Sequence, residues 1–141
     1  MKPTPIVALL VLIGLAGPAA AQPAMEDVIR APGDYAGQKL QFNGVTLSGN
    51  VTKYDISGVR KYYLTLQSRQ RTFEVGFFLA PPGLADKLTQ KLDPRTNYAV
   101  NLTCKVEQIT LNCLPQWHGI VSRIDLLDGN GNVVETIKDG K

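Results

Sequence analysis

Two cysteines and a single histidine are the chemically sharpest side chains in this chain of 141 residues. Cys104 and Cys113 are too far apart for a C-x-x-C redox pair, and His118 adds only one further ligand to any metal site built on them. The carboxylates Glu74, Glu107 and Asp125 are scattered along the chain. There is no G-x-S-x-G elbow, no glycine-rich phosphate loop and no metal-ligand cluster. The sequence therefore assigns no catalytic residue, no metal and no cofactor, and the expectation is a protein that is not an enzyme.

Charge gives a better lead. Between Lys53 and Arg71 the chain carries Lys53, Arg60, Lys61, Arg69 and Arg71 against the single acid Asp55, with Tyr54 and Tyr63 among them. The whole chain has a net charge of only +3, so its excess is concentrated in this stretch. An anionic partner is the reading this suggests, and a solvated strand surface that deters edge pairing is the plain alternative. Gln116-Trp117-His118-Gly119 is the other notable segment, because it holds the only Trp and the only His. Trp117 either stacks on a ligand beside a pH-reporting His118 or closes one end of the core beside a solvated His118.

The elements that must position these groups are short strands with one marked helix. Leu40 and Phe42, then Val45 and Leu47, alternate on a long strand over 38–47 whose phase is reset at Gly44, as at a bulge. Strands follow over 61–67, with Tyr62, Leu64 and Leu66 inward, and over 71–79, with Phe73, Val75 and Phe77 inward. Pro81-Pro82-Gly83 stops the sheet, and Leu84, Ala85, Leu88 and Leu92 recur at helical spacing. Tyr98, Val100, Leu102, Cys104 and Val106 alternate on a further strand. A hairpin turning near Gln108 places Cys104 opposite Cys113, and a disulfide closing that loop stabilises by about 2.5 kcal/mol. Strands over 119–127 and 133–137 flank a turn at 128–131. Before the first strand, Met25 to Ala31 forms a helical turn ended by Pro32.

The leader sets the compartment. Lys2, an apolar run from Ile6 to Leu15 and Ala19-Ala20-Ala21 make up a secretory signal peptide over 1–21, cleaved between Ala21 and Gln22. The run is shorter than the roughly 20 apolar residues a membrane span needs. The expectation is a periplasmic or secreted single domain over 22–141, without a stable membrane anchor after cleavage. Export also makes a disulfide the ordinary state of two cysteines.

The order of elements describes an all-β fold with one helix, a five-stranded OB-type Greek-key barrel with the helix between strands three and four. Its opening stretch, Ala31-Pro32-Gly33-Asp34-Tyr35-Ala36-Gly37-Gln38-Lys39-Leu40-Gln41-Phe42-Asn43-Gly44, resembles that of bacterial exported OB-fold proteins similar to the tRNA anticodon-binding OB superfamily. The resemblance implies ligand binding across the face of strands two and three. There it would place Lys53, Tyr54, Arg60, Lys61, Tyr63, Arg69 and Arg71, with Trp117 and His118 at the barrel mouth. The implied activity is non-catalytic binding of an anionic envelope component, a glycan or an acidic protein surface, since export disfavours nucleic acid. The alternative is a structural accessory protein of an envelope assembly.

Overall fold

The computed structural model describes residues 22–56 and 58–140, and the predicted signal segment with Ala21 lies outside the described residues. Seven strands dominate the described residues: β1 Lys39–Ser48, β2 Thr52–Ile56, β3 Val59–Gln67, β4 Phe73–Ala80, β5 Asn97–Leu111, β6 Leu114–Leu127 and β7 Val133–Lys138. Among the described residues the helices are α1 Met25–Arg30, a 3-10 turn at Pro32–Tyr35, and α2 Pro82–Lys91. The protein is all-β with a few short helices.

Pairing runs in a ring, from β1 to β5, β6, β4, β3 and back to β1. All of these contacts are antiparallel except β4 with β6, which are parallel at Phe78↔Gly119 and Leu79↔Ile120. β2, which the sequence does not announce, is added to β3 by a hairpin, and β7, the strand expected over 133–137, pairs with β6. β2 is short and polar, so alternation gives it no signature.

The inner face follows the pattern of the sequence closely along β1. Leu40, Phe42, Val45 and Leu47 are all buried, and the register shifts between Phe42 and Val45. Gly44 sits in that shift with φ +68°, a conformation that costs glycine no steric penalty. Phe78, fully buried, meets Phe42 and Phe77 edge to face at centroid distances of 6.0 and 5.0 Å. From α2, Leu84, Ala85 and Leu88, with Leu92 at its C-cap, close the core, and Met25 and Val28 of α1 close it elsewhere. Pro82 is tolerated at the start of α2 because its missing N–H has no helical partner there.

Two expectations are corrected here. Phe73 and Val75 are 66% and 62% exposed, not inward. Opposite the step from Leu64 to Leu66 on β3, β4 advances from Phe78 to Glu74, so extra residues bulge out and the alternation counted from Phe73 fails. The predicted disulfide is also absent. β5 runs straight through Gln108 to Leu111, which pairs with Leu114, while Cys104 pairs with Val121. Cys104 is buried in the core and Cys113 is exposed in the turn, both as free thiols. At about 3.4 Å per residue the rise of β5 holds them far beyond disulfide reach.

Candidate functional site

The β2–β3 hairpin carries most of the predicted site, and strand alternation divides it. Register pairs Tyr54 with Lys61, Lys53 with Tyr62 and Asp55 with Arg60. Paired residues share a face, so Tyr54, Lys61 and Tyr63 lie on the outer face while Lys53, Asp55 and Arg60 lie on the other. Arg60 donates to Asp55 through Nε at 2.9 Å and Nη2 at 3.2 Å. This fork holds the Asp55 carboxyl below its ordinary pKa, by hydrogen bonding first and charge second. It also occupies the stretch's only acid, leaving Lys53, Lys61, Arg69 and Arg71 with no ion pair among the described residues.

Tyr63 is not available for stacking. It is 7% exposed, covered by Tyr54 at 5.6 Å and packed near His118 at 6.0 Å, whereas Tyr54 is 58% exposed. Burial raises the Tyr63 pKa. His118 is 3% exposed, so the solvated neighbour expected beside Trp117 is instead interior. The reason is position: His118 projects from the outer face of β6 under the hairpin, against Tyr63 and Phe77. Its Nδ1 lies 3.2 Å from the Phe77 carbonyl oxygen and so carries the proton, while Nε2 is buried with no partner among the described residues. Burial lowers the pKa of the imidazole, the Phe77 carbonyl opposes this, and Lys61 lowers it further. Trp117 is half-buried against the core and lies over Gly33, whose added Cβ would stand 3.6 Å from the indole.

Arg69 and Arg71 are brought together elsewhere, in the turn from Ser68 to Thr72. Ser68 N donates to Thr72 O at 2.9 Å, Arg71 N to Ser68 O at 2.9 Å and Thr72 N to Ser68 Oγ at 3.0 Å. Arg71 holds φ 69°, the left-handed position of a three-residue hairpin loop. The Arg69 side chain passes 3.8 Å from where a Cβ on Gly44 would stand, so the β1 bulge forms its seat. Beside it lies a polar hollow of about 350 Å³ bordered by Gly44, Thr46, Gln67, Arg69 and Arg71. Thr46 pairs with Gln67 on the outer face, so this hollow continues the row Lys61, Tyr63, Thr65 and Gln67 along β3.

A larger cleft of about 480 Å³ opens on the other side of Arg69, under the segment before α1. Gln22, the predicted first residue after cleavage, borders it and accepts a hydrogen bond from Asn43 Nδ2 through Oε1 at 2.8 Å. Glu26 borders it too and accepts from the Ser68 hydroxyl, which lowers its pKa. Sequence reading missed Gln22, Glu26, Gln41, Asn43 and Ser68 as a group, since they are polar residues of separate segments with no common motif.

The carboxylates stay apart. Glu107 meets Lys105 at 3.7 Å, and Asp125, only 7% exposed, accepts from Arg123 Nε at 2.9 Å and Thr136 Oγ1 at 2.7 Å. No group of three or more His, Cys, Asp and Glu able to hold a metal occurs among the described residues. Comparison with protein-family models, with curated proteins and with solved structures finds no match.

Proposed function

We propose that this chain is an exported, periplasmic or secreted, non-catalytic OB-fold binding module whose outer β3 face takes an extended anionic ligand. The OB reading is supported by the ring order of pairing, the parallel β4–β6 contact, the bulged first strand and α2 between the third and fourth ring strands. The binding reading rests on one observation. Lys61 at one end of the β3 outer row and Arg69 and Arg71 at the other lack carboxylate partners among the described residues. From Lys61 to Gln67 the row spans about 20 Å, at roughly 3.3 Å per residue. A chain of repeated anionic groups matches that length better than a single small anion. An acidic polysaccharide or acidic peptide strand of the cell envelope fits the exported setting.

The test is titration with dextran sulfate, followed by tryptophan fluorescence and calorimetry at low and high salt. Lys61→Glu, Arg69→Glu and Arg71→Glu together should abolish a binding that high salt also weakens. Unchanged binding by that variant would overturn the proposal.

One observation favours a second reading, a structural role in an envelope assembly. Phe73 and Val75 stand exposed on the same side of β4, a position that suits apolar docking. In that case Phe73→Ser with Val75→Ser would abolish association with the assembly at any salt concentration.

A further inference from the structure

We infer that the cleft beneath the segment preceding α1 is a second binding site, for a small zwitterion of free amino-acid size. Its volume of about 480 Å³ falls in the range of small-molecule sites, roughly 300–1,000 Å³. What selects the ligand is the charge on its walls. Glu26 and Arg69 border the same cleft, yet no ion pair joins them among the described residues.

Each charge is held in place by something else. Ser68, the residue before Arg69, donates its hydroxyl to Glu26 and keeps that carboxylate ionised. The Arg69 side chain lies along the Gly44 bulge, with Cδ and Nε 3.8 and 3.9 Å from where a Cβ on that glycine would stand. A ligand bearing only a negative group would face Glu26, and one bearing only a positive group would face Arg69. Either meets a like charge, whereas a molecule with both groups meets two opposite ones. The guanidinium suits a carboxylate in particular, because its forked donors match two oxygens.

A ladder of carboxamides completes the wall. Gln41 Nε2 donates to Asn43 Oδ1 at 2.8 Å, and Asn43 Nδ2 donates to Gln22 Oε1 at 2.8 Å. That direction leaves a donor on Gln22 and an acceptor on Gln41 as its two ends. Buried Phe42 and Val45 form the apolar part of the lining and suit an aliphatic side chain. This site is separate from the anionic row on β3, and Ser68 and Arg69 border both.

Amide NMR titration of the mature domain with leucine, 4-methylpentanoate and isoamylamine tests the inference. Leucine should give saturable shifts at Glu26, Asn43, Arg69 and Gln70, and the two single-charge analogues should bind about tenfold or more weakly. Glu26→Gln and Arg69→Met should each weaken leucine by a similar factor, while Lys61→Glu, which damages only the β3 row, should leave it unchanged. Both substituted positions border the solvent-open cleft and not the core, and an unaltered amide spectrum elsewhere verifies the fold. No saturable shift, equal shifts from a single-charge analogue, or full retention by Arg69→Met would overturn it.

Discussion

Leu111 and Leu114 face each other directly across the β5–β6 hairpin, so its turn consists of Asn112 and Cys113 alone. Both turn residues are left-handed, with φ 51° and 66°, as a two-residue type I′ turn requires. Cys113 is thereby fixed at the exposed tip of the arm while Cys104 stays in the core. Burial pushes the Cys104 thiol up to about 12. A chromogenic thiol reagent at mildly alkaline pH should therefore titrate one thiol in the native protein and a second only after unfolding. No reactive thiol in either state would mean that the cysteines are paired after all.

Two glycines should respond in opposite ways to alanine. A Cβ at Gly49 would stand 2.1 Å from the backbone oxygen of Asp93, and Gly49 N is itself bound to Thr96 O at 2.9 Å. Neither backbone can retreat without breaking the join of β1 to the loop before β5. Gly49→Ala should cost about 3 kcal/mol or more in urea denaturation. Gly76 has nothing within 4 Å of the added atom, so Gly76→Ala should stay within about 0.5 kcal/mol.

Arg71 separates stability from binding. Its φ of 69° is unfavourable for any residue with a Cβ, by about 1–2 kcal/mol, part of which glycine returns as backbone entropy. Arg71→Gly should raise the urea midpoint by the equivalent of about 0.5–1 kcal/mol while weakening dextran sulfate binding. A loss of stability would show that the arginine side chain, not the turn, holds this loop together.

His118 predicts a pH dependence with a definite sign. It faces Tyr63 and Lys61 of β3, with Tyr54 of β2 behind Tyr63, and Glu107 of β5 is its register partner. Its folded pKa is lowered from 6.5, so above that pH both folded and unfolded states are neutral and it contributes nothing. As pH falls through 6.5 the unfolded chain takes up the proton first, and stability declines until the folded value is reached. His118→Gln should flatten this decline, measured as the urea midpoint just below pH 6.5. An unchanged slope would place the buried charge elsewhere.

Much of the core was legible because its residues obey one period at a time. Leu40 and Phe42 exchange phase with Val45 and Leu47 at a glycine, and Leu84, Ala85, Leu88 and Leu92 keep the helical spacing, so both patterns appear in the chain itself. Phe73 and Val75 misled for the converse reason. They alternate correctly with Phe77, but the bulge opposite Leu64 and Leu66 lies in the pairing, and its one local marker, the isolated Gly76, does not interrupt that alternation. The hairpin turn was misplaced because Cys113 is a rare occupant of a left-handed position, and cysteine pairing then drew the fold around it.

The candidate site was legible as composition and not as arrangement. Counting charges found the cations of 53–71, but only the register of β2 on β3 shows Arg60 spent on Asp55 and Lys53 turned away from Lys61. His118 was invisible as a buried residue, since its cover comes from Tyr63 and Phe77, far away in sequence.

The most direct test of the binding surface is amide chemical-shift mapping with dextran sulfate at low salt. Saturable shifts should run along Tyr54, Lys61, Thr65, Gln67, Arg69 and Arg71 and fade as salt is added. Shifts centred on Phe73 and Val75, or shifts indifferent to salt, would contradict an anionic ligand on the outer face of β3.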